Sequence, residues 1–403
     1  MTDGAIEVYG AAWCPDCRRA KKFLTDQRVH YLWHDIDGRD DLQALVEERN
    51  GGKRIIPTVV FPDGTHLAEP SNEELADKLG LARQAKMHVY DLIVIGGGPA
   101  GLTTAIYGAR ENLDVLVIDS KGLGGQASVT ERFDNYPGFP DGIAGAELAE
   151  RFVKQAERYG VEMLQAVSVT GIRRDGDELC VETATGDTYE AEAVLIATGS
   201  SYRRTGAEGE EELIGAGIHF CATCDGPFYK GAEELMVIGG GNSGLEEGLF
   251  LAQFADKVTV VEYGDQLRGS KLLQDKVRSH PKMEVELRHA VKAFEAKNGG
   301  KLGTVVIEDR DTGELEEHHP AGAFVFIGLD PNTGFLGDSV ELDPQGFVVT
   351  DPATFSTNLA GVFAAGDVRR GSTKQLASAV GEGAAVAIQI RQWLDRFEAR
   401  EEH

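Results

Sequence analysis

Two passages of the chain nearly repeat one another. VYDLIVIGGGPAGLTTAIYGAR begins at Val89 and ELMVIGGGNSGLEEGLFLAQ begins at Glu234, and each is followed by a second apolar run, VLVIDS or VTVVEY. Each copy reads as strand, glycine turn, helix and strand, the pattern of a nucleotide-binding half-domain. In such a turn the first glycine makes the bend, the second admits a pyrophosphate and the third lets helix pack on strand. Those positions are Gly96, Gly98 and Gly101 in the first copy and Gly239, Gly241 and Gly244 in the second. Asp119 and Glu262 end the following strands, each eighteen positions past the last glycine. That is close to the ~20 expected of a carboxylate that accepts from a ribose hydroxyl. A chain with two dinucleotide sites is expected to be α/β and to move electrons between two such cofactors. Glu262 further favours NADH over NADPH, because a carboxylate repels a 2′-phosphate and accepts hydrogen bonds from a free diol. Arg268 nearby is read as a solvated residue.

The 403 residues are enough for several domains. AVLIATGS (Ala193–Ser200) and GVFAAGDV (Gly361–Val368) flank the second copy and read as strands ended by glycine turns. The second copy is therefore expected to be inserted in the first, with Gly-containing crossings near 205–209 and 328–334 that could hinge. Ahead of both, residues 4–80 alternate strand and helix as a small α/β unit, with Ser71 and Glu74 forming a capping box before its last helix. The expected boundaries are 1–81, a linker at 82–87, 88–205, 206–330 and 331–403. Residues 81–87 would span at most roughly 25 Å at about 3.3–3.6 Å per residue. A formal charge of −26 disfavours nucleic acid and anionic lipid as partners. No apolar run is long enough to span a bilayer, and MTDGAIEVYG lacks the basic start and apolar stretch of a signal peptide, so a cytoplasmic location is expected.

Four of the five cysteines form two close pairs, Cys14 with Cys17 and Cys221 with Cys224. In a reducing compartment such pairs are redox-active or bind metal. A shared zinc site draws its pairs from about 15–20 residues apart, and these lie some two hundred apart, so no metal is expected. Cys14 precedes a helix, whose dipole would favour its thiolate and make it the attacking sulfur, leaving Cys17 to resolve the mixed disulfide. Pro57, at a strand start, is either a cis proline beside the sulfurs or a trans proline on an edge strand. Asp225, next to Cys224, either passes a proton to a leaving thiolate or caps a helix. Cys180, alone on a strand, reads as a small buried hydrophobe.

Residues 87–403 resemble the low-molecular-weight thioredoxin reductases and, more closely, the reductase portion of the flavoprotein subunit of alkyl hydroperoxide reductase. The resemblance rests on GGGPAGL, GLGGQ, NYPGF, ATGS, CATCDGPFYKG, GGGNSG, GVFAAGDV and KQLASAVGEG. Where thioredoxin reductases carry a His-Arg-Arg run for NADPH, this chain has Glu262, Tyr263 and Gly264. Residues 1–80 resemble a mycoredoxin or glutaredoxin through WCPDC, NGGKRIIPTVVFPDG and PSNEELADKLG. The resemblance implies a thioredoxin-like fold followed by two Rossmann-like domains, the second inserted in the first. It implies FAD held by Gly96, Gly98, Gly101, Asp119, Gln126, Asp367 and Gln375, with Cys224 facing the flavin and Cys221 passing electrons on. The expected activity is that of a homodimeric disulfide reductase, carrying electrons from NADH through FAD and Cys221–Cys224 to Cys14–Cys17. The final acceptor would be a peroxiredoxin, a thioredoxin-like protein or a small-thiol disulfide. The alternatives are an NADPH-dependent thioredoxin reductase and a flavin-binding redox sensor.

Overall fold

A computed structural model describes residues 5–11, 13–130, 132–133, 135–176, 178–297 and 300–401, without the side chains of Val129, Thr223, Cys224 and residues 397–401. The first unit runs β1 (Ile6–Gly10), α1 (Pro15–Asp26), β2 (Tyr31–Asp35), α2 (Asp40–Arg49), β3 (Thr58–Val60), β4 (His66–Ala68) and α3 (Asn72–Lys78). Its sheet has the order β2-β1-β3-β4, parallel at β1–β2 and antiparallel at β1–β3 and β3–β4. α1 closes on the sheet because residue 10 is glycine: a Cβ there would lie 2.5 Å from the Cys17 sulfur. Ser71 and Glu74 form the capping box read from the sequence, which satisfies N–H groups that helix geometry leaves unpaired at the start of α3.

The chain continues through β5 (Val89–Ile95), α4 (Pro99–Arg110), β6 (Val115–Ile118), α5 (Gly145–Arg158), β7 (Glu162–Leu164), β8 (Val169–Asp175), β9 (Glu178–Thr183) and β10 (Thr188–Ile196). These strands form a sheet of order β7-β6-β5-β10-β9-β8, and a late strand, Val362–Ala364, pairs parallel with β10. Alternation of side chains explains the unbroken apolar runs. Leu92 and Val94 enter one buried cluster with Val115, Val117, Ala193 and Leu195, while Ile93 and Ile95 enter another with Leu116, Ile118, Val194 and Ile196. Both faces are covered, so no polar face remains to break the pattern.

The middle of the chain supplies β11 (Ser200–Tyr202), α6 (Glu210–Leu213), β12 (Ile218–His219), α7 (Ala222–Asp225), β13 (Ala232–Ile238), α8 (Asn242–Leu251), β14 (Ala255–Glu262), α9 (Lys271–Ser279) and β15 (Met283–Leu287). Then follow β16 (His289–Ala296), β17 (Leu302–Asp309), β18 (Leu315–His318), β19 (Gly322–Val325) and β20 (Leu329–Pro331), and last β21 (Val362–Ala364) and α10 (Leu376–Glu401). The second parallel sheet has the order β12-β19-β13-β14-β15, and β16-β17-β18 make a separate antiparallel sheet. The two crossings are joined as a ribbon, with β11 and β20 pairing antiparallel from Ser200↔Pro331 to Tyr202↔Leu329.

The segment after α3 is not a loose tether. The Ala82 carbonyl accepts from Gln165 N–H at 2.8 Å, Ala85 N–H donates to the Tyr189 hydroxyl at 3.1 Å and Lys86 N–H donates to Glu162 at 2.8 Å. Sequence length alone allowed a swing of roughly 25 Å at about 3.6 Å per residue, but these bonds hold the connector on the sheet that starts at β5.

The helix after each glycine turn depends on its third glycine. A Cβ at Gly101 would lie 2.0 Å from the Gly96 carbonyl oxygen, and one at Gly244 would lie 1.9 Å from that of Gly239. Both obstacles are backbone and cannot yield cheaply. Gly244→Ala is expected to destabilise the unit around β13 by about 1–3 kcal/mol, as overpacking does, or to prevent its folding; a thermal unfolding profile unchanged from the native one would contradict this packing.

Candidate active site

The two glycine turns build the same cradle twice. The Asp119 carboxylate accepts from Gly97 N–H at 2.6 Å and from Lys121 N–H at 2.7 Å. Glu262 accepts from Gly240 N–H and Gly264 N–H, each at 2.7 Å. In both, the first glycine lies in the left-handed region, φ 108° at Gly96 and 114° at Gly239, and its N–H donates to the parallel strand that follows, at the Ile118 and Val261 carbonyls. Gly98 and Gly241 are the N-caps of α4 and α8 with no side chain bonded to the helix start, so free N–H groups and the positive end of each dipole face outward. A Cβ at Gly241 would meet nothing within 4 Å, so the backbone there is open to a close ligand. These features fit a pyrophosphate on each turn and a ribose on each carboxylate.

Two of the segments expected around the first cradle pack against it, at Gly124–Gly125 and at Gly366. The loop Gly124–Gly125 lies on the turn, with Gly124 N–H donating to the Gly97 carbonyl at 2.7 Å. Gln126 donates to the Ser200 carbonyl at 3.3 Å, at the head of β11. Asp367 follows Gly366, whose added Cβ would lie 3.0 Å from that of Ala100 in α4. Burial pushes the Asp367 carboxyl pKa up, against the Lys374 charge and the Ser372 hydroxyl. Gln375 accepts from Asn135 at 3.2 Å.

Tyr202 links the segment bearing Cys221 to this first cradle electrostatically. Burial pushes the Tyr202 phenol up to about 12, with Asp367, Asp225 and Glu247 adding negative charge around it. One ring thus stands within electrostatic reach of a carboxylate from the first cradle and of two from the middle unit. Tyr202 stacks on Phe220, centroids 4.9 Å apart, directly before Cys221. Cys221 is disulfide-bonded; the Cys224 side chain lies outside the described residues. Asp225 is buried, and its carboxylate lies 3.5 Å from His219 Nδ1, while His219 Nε2 and the Tyr229 hydroxyl are 2.7 Å apart. Sequence reading passed over His219, Tyr202 and Glu247. The available signal was a histidine inside an otherwise apolar stretch at 216–222, a pattern more often explained by packing; Tyr202, between serines and arginines, carried none.

The first pair is a separate station. Cys14 is the N-cap of α1, and its sulfur accepts from Cys17 N–H at 3.3 Å. The Ile56–Pro57 peptide is cis, and the Cys14 sulfur lies 3.9 Å from the Ile56 carbonyl. Cys14, Cys17 and Cys180 are free. Burial pushes the Cys17 thiol up to about 12, reinforced by Cys14 and Asp16 and opposed by the Ala11 backbone. Cys180 is buried and its pKa is raised for the same first reason. The described hydrogen bonds of Cys14 stay within residues 11–56, so this structure does not bring it to Cys221.

Residues 90–383 match the family described as pyridine nucleotide-disulphide oxidoreductase, and residues 6–67 match glutaredoxin. The chain belongs to the pyridine nucleotide-disulphide oxidoreductases. It is 41% identical over 307 residues to a bifunctional thioredoxin reductase/thioredoxin of Mycobacterium leprae, a match covering 76% of this chain and 66% of that one. It is 38% identical to the thioredoxin reductase of Bacillus subtilis, over 77% of this chain and 96% of that protein. The solved thioredoxin reductase of Streptococcus pyogenes superposes with a TM-score of 0.72 at 40% identity, covering 77% of this chain and 99% of that one. This oxidoreductase is thus a thioredoxin reductase-like flavoprotein with a glutaredoxin domain fused at its N-terminal side, and its family implies FAD and a pyridine nucleotide. Among the described residues no helix is long and apolar enough to cross a membrane, and no cluster of three or more metal-ligating side chains occurs.

Only a thiolate attacks, and a raised pKa keeps the thiol protonated at every pH below it. At pH 8 iodoacetamide should therefore label Cys14 of the oxidoreductase in preference to Cys17, which should gain label only as the pH climbs toward 12. Peptide mass mapping reads this out; labelling of Cys17 at the rate of Cys14 would contradict it.

Proposed function

We propose that the chain is a disulfide reductase that takes electrons from NADH and delivers them, through the Cys221–Cys224 and Cys14–Cys17 pairs, to a protein or small-thiol disulfide. The observation that carries the reading is at Tyr202, whose ring stacks on Phe220, next to Cys221, and lies within electrostatic reach of Asp367. FAD bound in that cradle would supply the step between a hydride donor and a disulfide. Gly96, Gly98 and Gly101 would receive its pyrophosphate, Asp119 its ribose, and Gln126, Asp367 and Gln375 would line its remaining length.

Asp225 is read as the group that holds a proton for the Cys221–Cys224 pair. It is buried, lies one residue past Cys224 and is steadied by His219, which in turn meets the Tyr229 hydroxyl. In the redoxin domain Cys14 is the attacking sulfur, because its position at the start of α1 provides an N–H donor and the dipole. Cys17, held as a thiol, resolves the mixed disulfide when its proton leaves. Pro57 keeps the Ile56 carbonyl beside Cys14. The acceptor is read as a peroxiredoxin, a thioredoxin-like protein or a small-thiol disulfide.

Gly239, Gly241 and Gly244 with Glu262 form the second cradle, read as the nicotinamide site. Glu262 is buried and both its oxygens are fixed by backbone N–H groups, so its charge is aimed at the ribose position. An observation favouring NADPH is the pair of arginines alongside. Arg268 Nε lies 3.8 Å from Glu262 with its side chain 70% exposed, and exposed Arg310 sits 3.7 Å over the Tyr263 ring. Exposed ion pairs contribute only about 0–1 kcal/mol, so the buried carboxylate should govern. The kcat/KM for NADH should exceed that for NADPH by at least about tenfold, or ~1.4 kcal/mol, and Glu262→Gln should narrow the ratio. Steady-state kinetics with both nucleotides would overturn the NADH reading if NADPH equalled or surpassed NADH.

A further inference from the structure

Gln27 and Arg28 take no part in the redoxin chemistry, yet both reach out of that domain. They follow α1 at the end opposite Cys14, about 18 Å away at ~1.5 Å per residue. The Gln27 amide donates to the Ser120 carbonyl at 3.1 Å, and Gly122 N–H donates to the Asp26 carbonyl at 2.8 Å. Arg28 donates through one terminal nitrogen to the Leu123 carbonyl and through the other to the Gly125 carbonyl, each at 2.6 Å. Residue 122 has to be small here, since a Cβ would lie 2.7 Å from the Gln27 carbonyl oxygen.

The gripped segment is part of the first cradle. It starts one residue after Asp119 and ends at Gly125, where an added Cβ would lie 2.8 Å from the Gly98 Cα. Gly124 N–H bonds the Gly97 carbonyl. Arg28 thus holds the outer side of a loop whose inner side is the glycine turn. Burial lowers the Arg28 pKa, and the charges of Asp119 and Asp26 act against that, which places the guanidinium within electrostatic reach of the ribose carboxylate.

We propose that Arg28 of the redoxin domain is a positioning residue for the dinucleotide of the first cradle, fixing the 120–125 loop against Gly97 and Gly98 and setting a cation beside Asp119. The inference rests on the reading that FAD occupies this cradle. The fused domain then serves as the outer wall of the cofactor site as well as an electron carrier. Because binding couplings are reciprocal, cofactor and docked redoxin stabilise one another. Lysine can replace the charge but not the two-pronged grip.

The experiment uses the full chain as wild type, Arg28→Ala and Arg28→Lys. It measures the FAD dissociation constant by flavin fluorescence, and hydrogen exchange at the Gly122 amide in flavin-loaded and flavin-stripped protein. Arg28→Ala should weaken FAD binding on the order of tenfold through the loss of two charge-assisted hydrogen bonds, with Arg28→Lys in between. Stripping the flavin from wild type should speed exchange at Gly122 several-fold. An Arg28→Ala protein that binds FAD as wild type does overturns the inference and leaves the cofactor reading standing. Unchanged Gly122 exchange also overturns it, and decides the matter alone if the alanine variant does not fold. A wild-type chain that takes up no flavin removes the cofactor reading and the inference together.

Discussion

Everything functional in the reductase portion depends on one interaction made twice: a carboxylate at the end of a parallel strand accepting from the N–H of the middle residue of a glycine turn. Asp119 does this to Gly97 and Glu262 to Gly240. The bond fixes strand end, turn and helix start relative to one another, so that helix N–H groups and ribose carboxylate face the same ligand. It leaves little room nearby: a Cβ at Gly97 would meet the end of the Leu123 side chain at 2.4 Å and one at Gly240 that of Leu267 at 2.6 Å, so those side chains would have to shift. The two sheets and their apolar layers hold this geometry in place.

Much of this was legible in the sequence because period and spacing encode it. The turns, their carboxylates, the capping box at Ser71 and the start of α1 at the Cys14 pair follow from local rules, and the structure shows them where those rules point. What was not legible depends on how the elements turn and pack. His219 reaches Asp225 through the turn between β12 and α7, and Tyr202 comes within electrostatic reach of Asp367 because β11 brings it there. The β16–β18 sheet has mixed-polarity strands, HAVKAFEA, LGTVVIED and LEEH, in which alternation is weak. Arg28 is one arginine among many charged residues, and nothing local distinguishes it from a solvated one.

The docked redoxin revises how the N-terminal domain is understood. Read as a sequence, residues 81–87 are a short tether whose reach limits delivery of electrons. In the structure the connector is bonded to the sheet it crosses, and the turn after α1 is bonded to the cofactor loop. The dithiol therefore sits at the end of α1 away from the docked surface. Both of its sulfurs are buried there, and in the proposed relay Cys221 would reach them only after the domain leaves this position or through a second copy of the chain.

In the proposed relay, electrons reach Cys14–Cys17 through Cys221. The direct measurement is anaerobic addition of NADH to the full-length, flavin-loaded protein with both pairs oxidised, followed by rapid acid quench, alkylation and mass mapping of Cys14 and Cys17. Wild type should show a reduced Cys14–Cys17 pair, while Cys221→Ser should leave it oxidised even though its flavin still bleaches. Reduction of Cys14–Cys17 in Cys221→Ser at the wild-type rate would contradict it.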